Sequence, residues 1–167
     1  MSDVVLISGS PSVSSRTATV LNFCAEKLRE AGRKTTVIQV RELTNPQSQQ
    51  TKDALTLIGE ARAVVIATPV YKASLTGLLK SFLDLLPTDA LKGKVALPLA
   101  TGAAPAHALA IEHELSPLLF ALGADAVVRG RYFIDTTDIP DGKLSPTAAA
   151  SLAAAAARLI TYGGPAK

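Results

Sequence analysis

Continuous apolar runs alternate along the chain with segments in which apolar residues recur every three or four positions. A continuous run predicts a strand that is covered on both faces of a sheet. Such runs occupy residues 4–7, 63–67 and 95–100, and residues 35–40 and 126–134 are also predicted to be strands. Pro98 argues against the fourth strand, because a residue of a central strand needs its N–H for pairing. In the fifth strand, Gly130 predicts an interruption.

The segments between these runs predict amphipathic helices. One begins at Ser15 and ends near Gly32, and a shorter one covers residues 52–60. The most regular helical spacing lies before Pro87 and is formed by Leu75, Leu78, Leu79, Phe82 and Leu86.

Two further helices follow in the second half of the chain. The fourth covers residues 106–122, and Pro117 inside it predicts a kink. The fifth begins after Ser145, a typical N-cap residue, with Pro146 at the first helical position.

Five strands that alternate with helices in 167 residues predict an α/β fold and one domain, residues 1–167. Right-handed crossovers and the short chain favour a doubly wound parallel sheet in the order 2-1-3-4-5. A ligand of such a sheet binds beyond the carboxyl ends of the strands. That position brings together three loops, at residues 8–16, 68–74 and 101–107.

The first loop predicts a phosphate site. It lacks both GxxxxGK[ST] and GxGxxG, which argues against a nucleoside triphosphate or a dinucleotide. It begins at Ser8, carries Arg16 at a helix start and offers the hydroxyls of Ser10, Ser12, Ser14, Ser15 and Thr17. These groups suit the single terminal phosphate of a mononucleotide such as FMN. The alternative is a serine-rich turn that only caps a helix.

The second loop carries Pro69, Val70, Tyr71 and Lys72. Its backbone is able to face the edge of a flat ring, with Tyr71 packed beside that ring. The alternative is an ordinary strand-to-helix turn with a tyrosine in solvent.

The third loop contains the small residues Thr101, Gly102 and Ala103 and ends at His107. Small residues let a planar ligand lie close to the backbone, where amide N–H groups reach its oxygens. His107 either bonds to the ligand or caps the next helix, and the sequence leaves both roles open.

Composition excludes several classes of function. One cysteine and two histidines are too few for most metal sites, and no nucleophile–base pair has a readable spacing. We therefore expect no metal and no catalytic side chain, with the chemistry carried by a cofactor. A net charge of +3, no Trp and few other aromatic residues disfavour nucleic-acid binding.

Location is also suggested by the sequence. Residues 1–8 lack the basic segment of a secretion signal, and no apolar run approaches the ~20 residues that span a bilayer. We expect a cytoplasmic protein without membrane segments, in which the lone Cys24 stays reduced.

Three motifs point to one family: ISGSP at residues 7–11, TPVYK at 68–72 and LPLATG at 97–102. The resemblance extends over nearly the whole chain. The chain resembles the NAD(P)H-dependent FMN reductases of the flavodoxin-like superfamily. Within them it is similar to the alkanesulfonate/methanesulfonate-type enzymes, which supply reduced flavin to a two-component monooxygenase.

This resemblance implies roles for individual residues. The family's FMN phosphate loop corresponds to Ser10, Ser15, Arg16 and Thr17. The residues that lie beside the isoalloxazine correspond to Pro69, Val70 and Tyr71. The loop at the pyrimidine end of the flavin corresponds to Thr101, Gly102 and His107. Two positions depart from the family pattern, because Ser12 replaces a common arginine and Ala103 replaces a common glycine. The loss of charge at Ser12 leaves the choice between NADH and NADPH open.

The resemblance also implies a π-bulge in the helix that contains Pro117. Its inserted position corresponds to His113 and lies at a tetramer interface in the subfamily. We therefore expect a homotetramer or homodimer with His113 near the interface. The alternative is a surface histidine one turn before a proline.

These observations favour an NAD(P)H:FMN oxidoreductase that releases FMNH₂ to a partner flavin-dependent monooxygenase. One alternative is a quinone, azo-dye or metal-ion reductase that keeps FMN bound. Another is a flavodoxin-like electron carrier, which a pI of about 9.1 and a low aromatic content disfavour.

Overall fold

The computed structural model describes residues 3–163. Met1 and Ser2, the start of the segment that argued against a secretion signal, lie outside the described residues. The strands are β1 Val4–Ser8, β2 Thr35–Gln39, β3 Ala63–Pro69, β4 Val95–Gly102, β5 Ala126–Val127 and β6 Arg131–Ile134. The α-helices are α1 Arg16–Glu30, α2 Gln49–Glu60, α3 Gly77–Leu83, α4 Ser116–Ala121 and α5 Pro146–Tyr162.

The strands form a parallel sheet in the order β2-β1-β3-β4-β5, with β6 also paired to β4. The doubly wound, flavodoxin-like order predicted from the sequence is therefore confirmed. β1 pairs with β2 on one side and with β3 on the other, so all of its residues are buried.

Side chains alternate along the central strands and feed two cores, one on each face of the sheet. On one face Leu6 packs with residues of α1 and α5, among them Leu21 and Leu152. On the other face Ile7 packs with residues of α2, α3 and α4, among them Ile58. Burial on both faces is the physical reason that the strands are apolar without alternation.

Hydroxyl side chains begin four of the helices. Ser15, Ser48, Thr76 and Ser145 each accept a hydrogen bond from the backbone N–H three residues later. The predicted cap at Ser145 is thus confirmed. Because Thr76 caps α3, this helix begins after Leu75, and it ends at Leu83, so Leu75 and Leu86 of the predicted helix lie in the flanking loops.

Pro98 explains why the predicted fifth strand, residues 126–134, is divided into β5 and β6. Val128 N–H donates to the carbonyl of Ala96 at 2.8 Å. Pro98, two residues after Ala96, faces the same neighbouring strand but has no N–H to donate. The pairing of β4 with the segment after Val128 is therefore interrupted at this point. Gly130 fits the gap because an added Cβ would lie 2.8 Å from the carbonyl oxygen of Pro98.

The predicted continuous helix at 106–122 is wrong in detail. The structure has a 3₁₀ turn at Pro105–Ala108, a π-helix at Ile111–Leu115 and then α4. The N–H of Ser116 donates to the carbonyl of Ile111, five residues back. Pro117 lies in the first turn of α4, where a missing N–H is tolerated. The π-bulge implied by the resemblance is confirmed, and it contains His113, which is exposed.

Candidate active site

The three loops predicted to meet do meet beyond the carboxyl ends of β1, β3 and β4. They enclose a cavity of about 370 Å³. Its lining residues are Ser10, Ser12, Ser14, Ser15, Arg16, Thr17, Pro69, Val70, Tyr71, Thr101, Gly102, Ala103, His107 and Asp135. Two predicted site residues, Ser8 and Lys72, are not among them. We call residues 10–17 the hydroxyl end, and residues 69–71 with 101–107 the opposite end.

Gly9 brings the hydroxyl end close to α3. A Cβ at Gly9 would lie 2.8 Å from Cβ of Leu79, so only glycine fits without a shift. The hydroxyl of Thr76 donates to the carbonyl of Gly9 at 2.8 Å. These contacts hold the first loop against the start of α3.

Ser15 serves the helix as well as the cavity. Its Oγ accepts a hydrogen bond from Ala18 N–H at 3.0 Å, as the capping interpretation predicted. The O–H of that hydroxyl still has a proton to donate. The capping role and a ligand-binding role are therefore compatible at this residue.

Arg16 and Asp135 are the charged residues of the lining. Arg16 Nε lies 4.0 Å from Asp135 Oδ1, and the two side chains are 50% and 25% exposed. An ion pair that is this exposed, with its charged atoms this far apart, is weak and leaves both side chains free to move. The sequence reasoning missed Asp135, although it directly follows β6, and the end of that strand lies at the same edge of the sheet.

A buried hydrogen bond joins the two ends of the cavity. The hydroxyls of Thr17 and Thr101 lie 2.8 Å apart, and either one donates. Because these residues are 84 positions apart in the chain, the bond fixes α1 against the carboxyl end of β4.

The second loop turns sharply after Tyr71. Tyr71 and Ser74 exchange backbone hydrogen bonds of 3.0 and 3.1 Å. Lys72 and Ala73, between them, have φ values of 53° and 63°. Residues with a Cβ rarely adopt this left-handed conformation, so the turn is strained. Tyr71 is 55% exposed and lies at the wall of the cavity.

Gly102 leaves room for the Tyr132 side chain beside the third loop. An added Cβ would lie 2.6 Å from Oη of Tyr132. That hydroxyl donates to the carbonyl of Ala104 at 2.8 Å and so braces the loop. Burial, aided by the charge of Asp135, raises the pKa of Tyr132 and keeps the hydroxyl protonated as a donor.

Three buried polar atoms near the cavity have no hydrogen-bond partner within the described residues: Ser8 Oγ, His107 Nδ1 and Asp135 Oδ1. Buried polar atoms are almost always paired. His107 lies in a 3₁₀ turn that has no side-chain cap, so the capping alternative is not observed. The unpaired atoms fit a ligand that brings both donors and acceptors, as the ribityl and pyrimidine groups of FMN do.

Within residues 3–163, no group of three or more His, Cys, Asp or Glu side chains is placed to hold a metal ion. The helices of the same range lack the combination of length and hydropathy that a membrane span needs. Cys24 is buried in the core, which raises the pKa of its thiol to about 12.

Comparison with known proteins identifies the family of this chain. A family model described as NADPH-dependent FMN reductase matches residues 2–138. The chain is 38% identical over 140 residues to a Pseudomonas putida protein named FMN reductase (NADPH), covering 80% of this chain and 71% of that protein. It is 32% identical over 173 aligned positions to the NADH-dependent FMN reductase SfnE of Pseudomonas putida, covering 97% and 92%.

A solved structure shares the fold and more than a third of the sequence. The apo form of an NADH:FMN oxidoreductase called EMOB superposes with a TM-score of 0.86 at 36% identity, covering 95% of this chain and 88% of that one. The predicted cofactors, FMN with NADPH or NADH, agree with these relatives. The chain belongs to the NADPH-dependent FMN reductase family and is an oxidoreductase that acts with FMN and a nicotinamide nucleotide.

Proposed function

We propose that FMN binds in the cavity with its phosphate at the hydroxyl end and its ring at the opposite end. A nicotinamide nucleotide then docks over the ring from the open side, and the reduced flavin leaves for a partner flavin-dependent monooxygenase. Sulfonate breakdown, suggested by the sequence resemblance, is the role that we assign to that partner.

The observation that carries this proposal is the polarity of the cavity. Its hydroxyl end combines Arg16 with the first N–H groups of α1, which suits an anion. Its opposite end offers Gly102 and the unpaired Nδ1 of His107 to a planar group. A ligand with a phosphate at one end and a flat polar ring at the other matches both.

The residues of this chain bind and orient rather than react. Arg16 and the serine hydroxyls hold the phosphate, while Val70 and Tyr71 form one wall beside the ring. When bound, FMN supplies the hydride acceptor. Hydride transfer itself requires no protein acid, so we assign no catalytic side chain.

Assembly of several copies is also part of the proposal. Leu109 and Phe120 are each 55% exposed and come, in the sequence, before and after the π-helix that carries His113. We assign this face to contact between copies of the chain, as a homotetramer or homodimer. Deletion of His113 is expected to change the oligomeric size; an unchanged size on gel filtration would leave this histidine an ordinary surface residue.

We place the enzyme in the cytoplasm, where NAD(P)H is supplied and a buried cysteine stays reduced. The functional proposal is tested by the steady-state oxidation of NADH and NADPH with FMN, FAD or riboflavin varied. We expect saturable reduction of FMN and loss of flavin on gel filtration. Flavin that stays bound while quinones are reduced would favour the alternative reductase, and binding without nucleotide oxidation would favour the electron carrier.

A further inference from the structure

The strained turn at residues 71–75 is held from outside by one side chain. Oε2 of Glu114 accepts hydrogen bonds from Ser74 Oγ at 2.8 Å and from Leu75 N–H at 3.1 Å. Both partners lie about 40 positions earlier in the chain. Among the described residues 3–163, the other hydrogen bonds of residues 71–75 stay within the turn, between Tyr71 and Ser74.

The π-helix aims Glu114 at this turn. Ile111 and Leu115 of the same helix are buried, whereas Glu112 and His113 are exposed. Glu114 is half-buried and lies on the protein-facing side between these two sets. The carboxylate therefore makes charge-assisted hydrogen bonds that are partly shielded from water.

The turn needs the support of Glu114 because hydrogen bonds hold the residues before and after it but not the strained residues in its middle. Before it, Val70 N–H donates to the carbonyl of Thr101 at 2.8 Å. After it, Thr76 is bonded to Gly9. Between these anchors Lys72 and Ala73 hold left-handed conformations that the backbone would leave if it were free.

We infer that Glu114 is a positioning residue for the flavin site: by holding the turn, it keeps Tyr71 at the wall of the cavity beside the ring. This inference rests on the proposal that FMN binds in the cavity. Glu114 does not line the cavity and touches no reacting atom. Its effect reaches the flavin only through Ser74 and Leu75.

The test compares E114A with E114Q and with the control E112A. Glu112 lies on the same π-helix but is exposed, so its loss leaves the turn untouched. We expect E114A to raise the Kd and KM for both FMN and riboflavin about tenfold, since a misplaced wall affects the ring common to both. E114Q still accepts through one oxygen and should stay within about threefold of the native protein.

A purely structural role predicts a different pattern. It would lower the melting temperature of E114A without a matching change in the absorption spectrum of bound flavin. The positioning role predicts that the spectrum moves toward that of free flavin, and that E114Q restores it. Flavin affinity in E114A equal to that in E112A would overturn the inference.

The variant S74A keeps the test decisive if E114A fails to fold. It removes one of the two donors to Glu114 and should weaken both flavins about threefold. Flavin affinity in S74A equal to that of the native protein would then overturn the inference. Failure of the native protein to bind any flavin would instead overturn the proposed function.

Discussion

The residues that line the hydroxyl end of the cavity are neighbours in the chain, whereas those that line the opposite end come from two segments far apart. Ser10 through Thr17 follow one strand and begin one helix, so their roles are visible in one stretch of sequence. The opposite end depends on Tyr132 bracing Ala104 and on Glu114 holding the turn after Tyr71. The first arrangement suits a fixed anion site, and the second makes the shape of the ring site sensitive to distant residues.

The largest expected effect comes from removing the charge of the hydroxyl end. Arg16→Ala should weaken FMN by about 1.5–3 kcal/mol, because a charge-assisted contact with phosphate is lost. Riboflavin has no phosphate and should lose far less. Titration of both flavins by fluorescence measures the difference, and equal losses would show that Arg16 does not contact phosphate.

A comparable loss of affinity, similar for FMN and riboflavin, is expected from a change at the opposite end. Gly102→Ala places a Cβ against the Tyr132 hydroxyl and should cost about 1–3 kcal/mol, for FMN and riboflavin alike. The matched control is Gly102→Ala combined with Tyr132→Phe, which removes the clashing oxygen and should recover part of the affinity. A double variant no better than the single one would show that the clash is not the cause.

A smaller effect of opposite sign is expected from Asp135. Its carboxylate lies near Arg16 and repels a phosphate that binds there. Asp135→Asn keeps the shape and should tighten FMN by about 0.5–1 kcal/mol, with riboflavin nearly unchanged. Weaker binding of both flavins in the same titration would show that a hydrogen bond between Asp135 and the ribityl hydroxyls outweighs this repulsion.

No effect at either end is expected from metal removal, because the proposed contacts are all made by protein groups. Treatment with EDTA should leave the rate of FMN reduction unchanged. A loss of activity that a divalent ion restores would contradict this prediction.

The contrast between the two ends also separates what the sequence could predict from what it could not. Apolar runs and helical spacing were enough for the sheet order, and Ser145-Pro146 was enough for the start of α5, because these signals are local. The division of the fifth strand depends on Pro98 of the neighbouring strand, which only the pairing register reveals. Asp135 and Glu114 were missed for the same reason, since each acts on a segment distant in the chain.

A crystal structure of the protein with FMN tests the central claim most directly. We predict the phosphate within hydrogen-bond distance of Arg16 and the first turn of α1, with the ring between Tyr71 and residues 101–107. A second groove, of about 560 Å³ and lined by Arg129 and Arg131, lies between the π-helix and β6. FMN bound there, or bound in the first cavity with its ring at the hydroxyl end, would contradict the account.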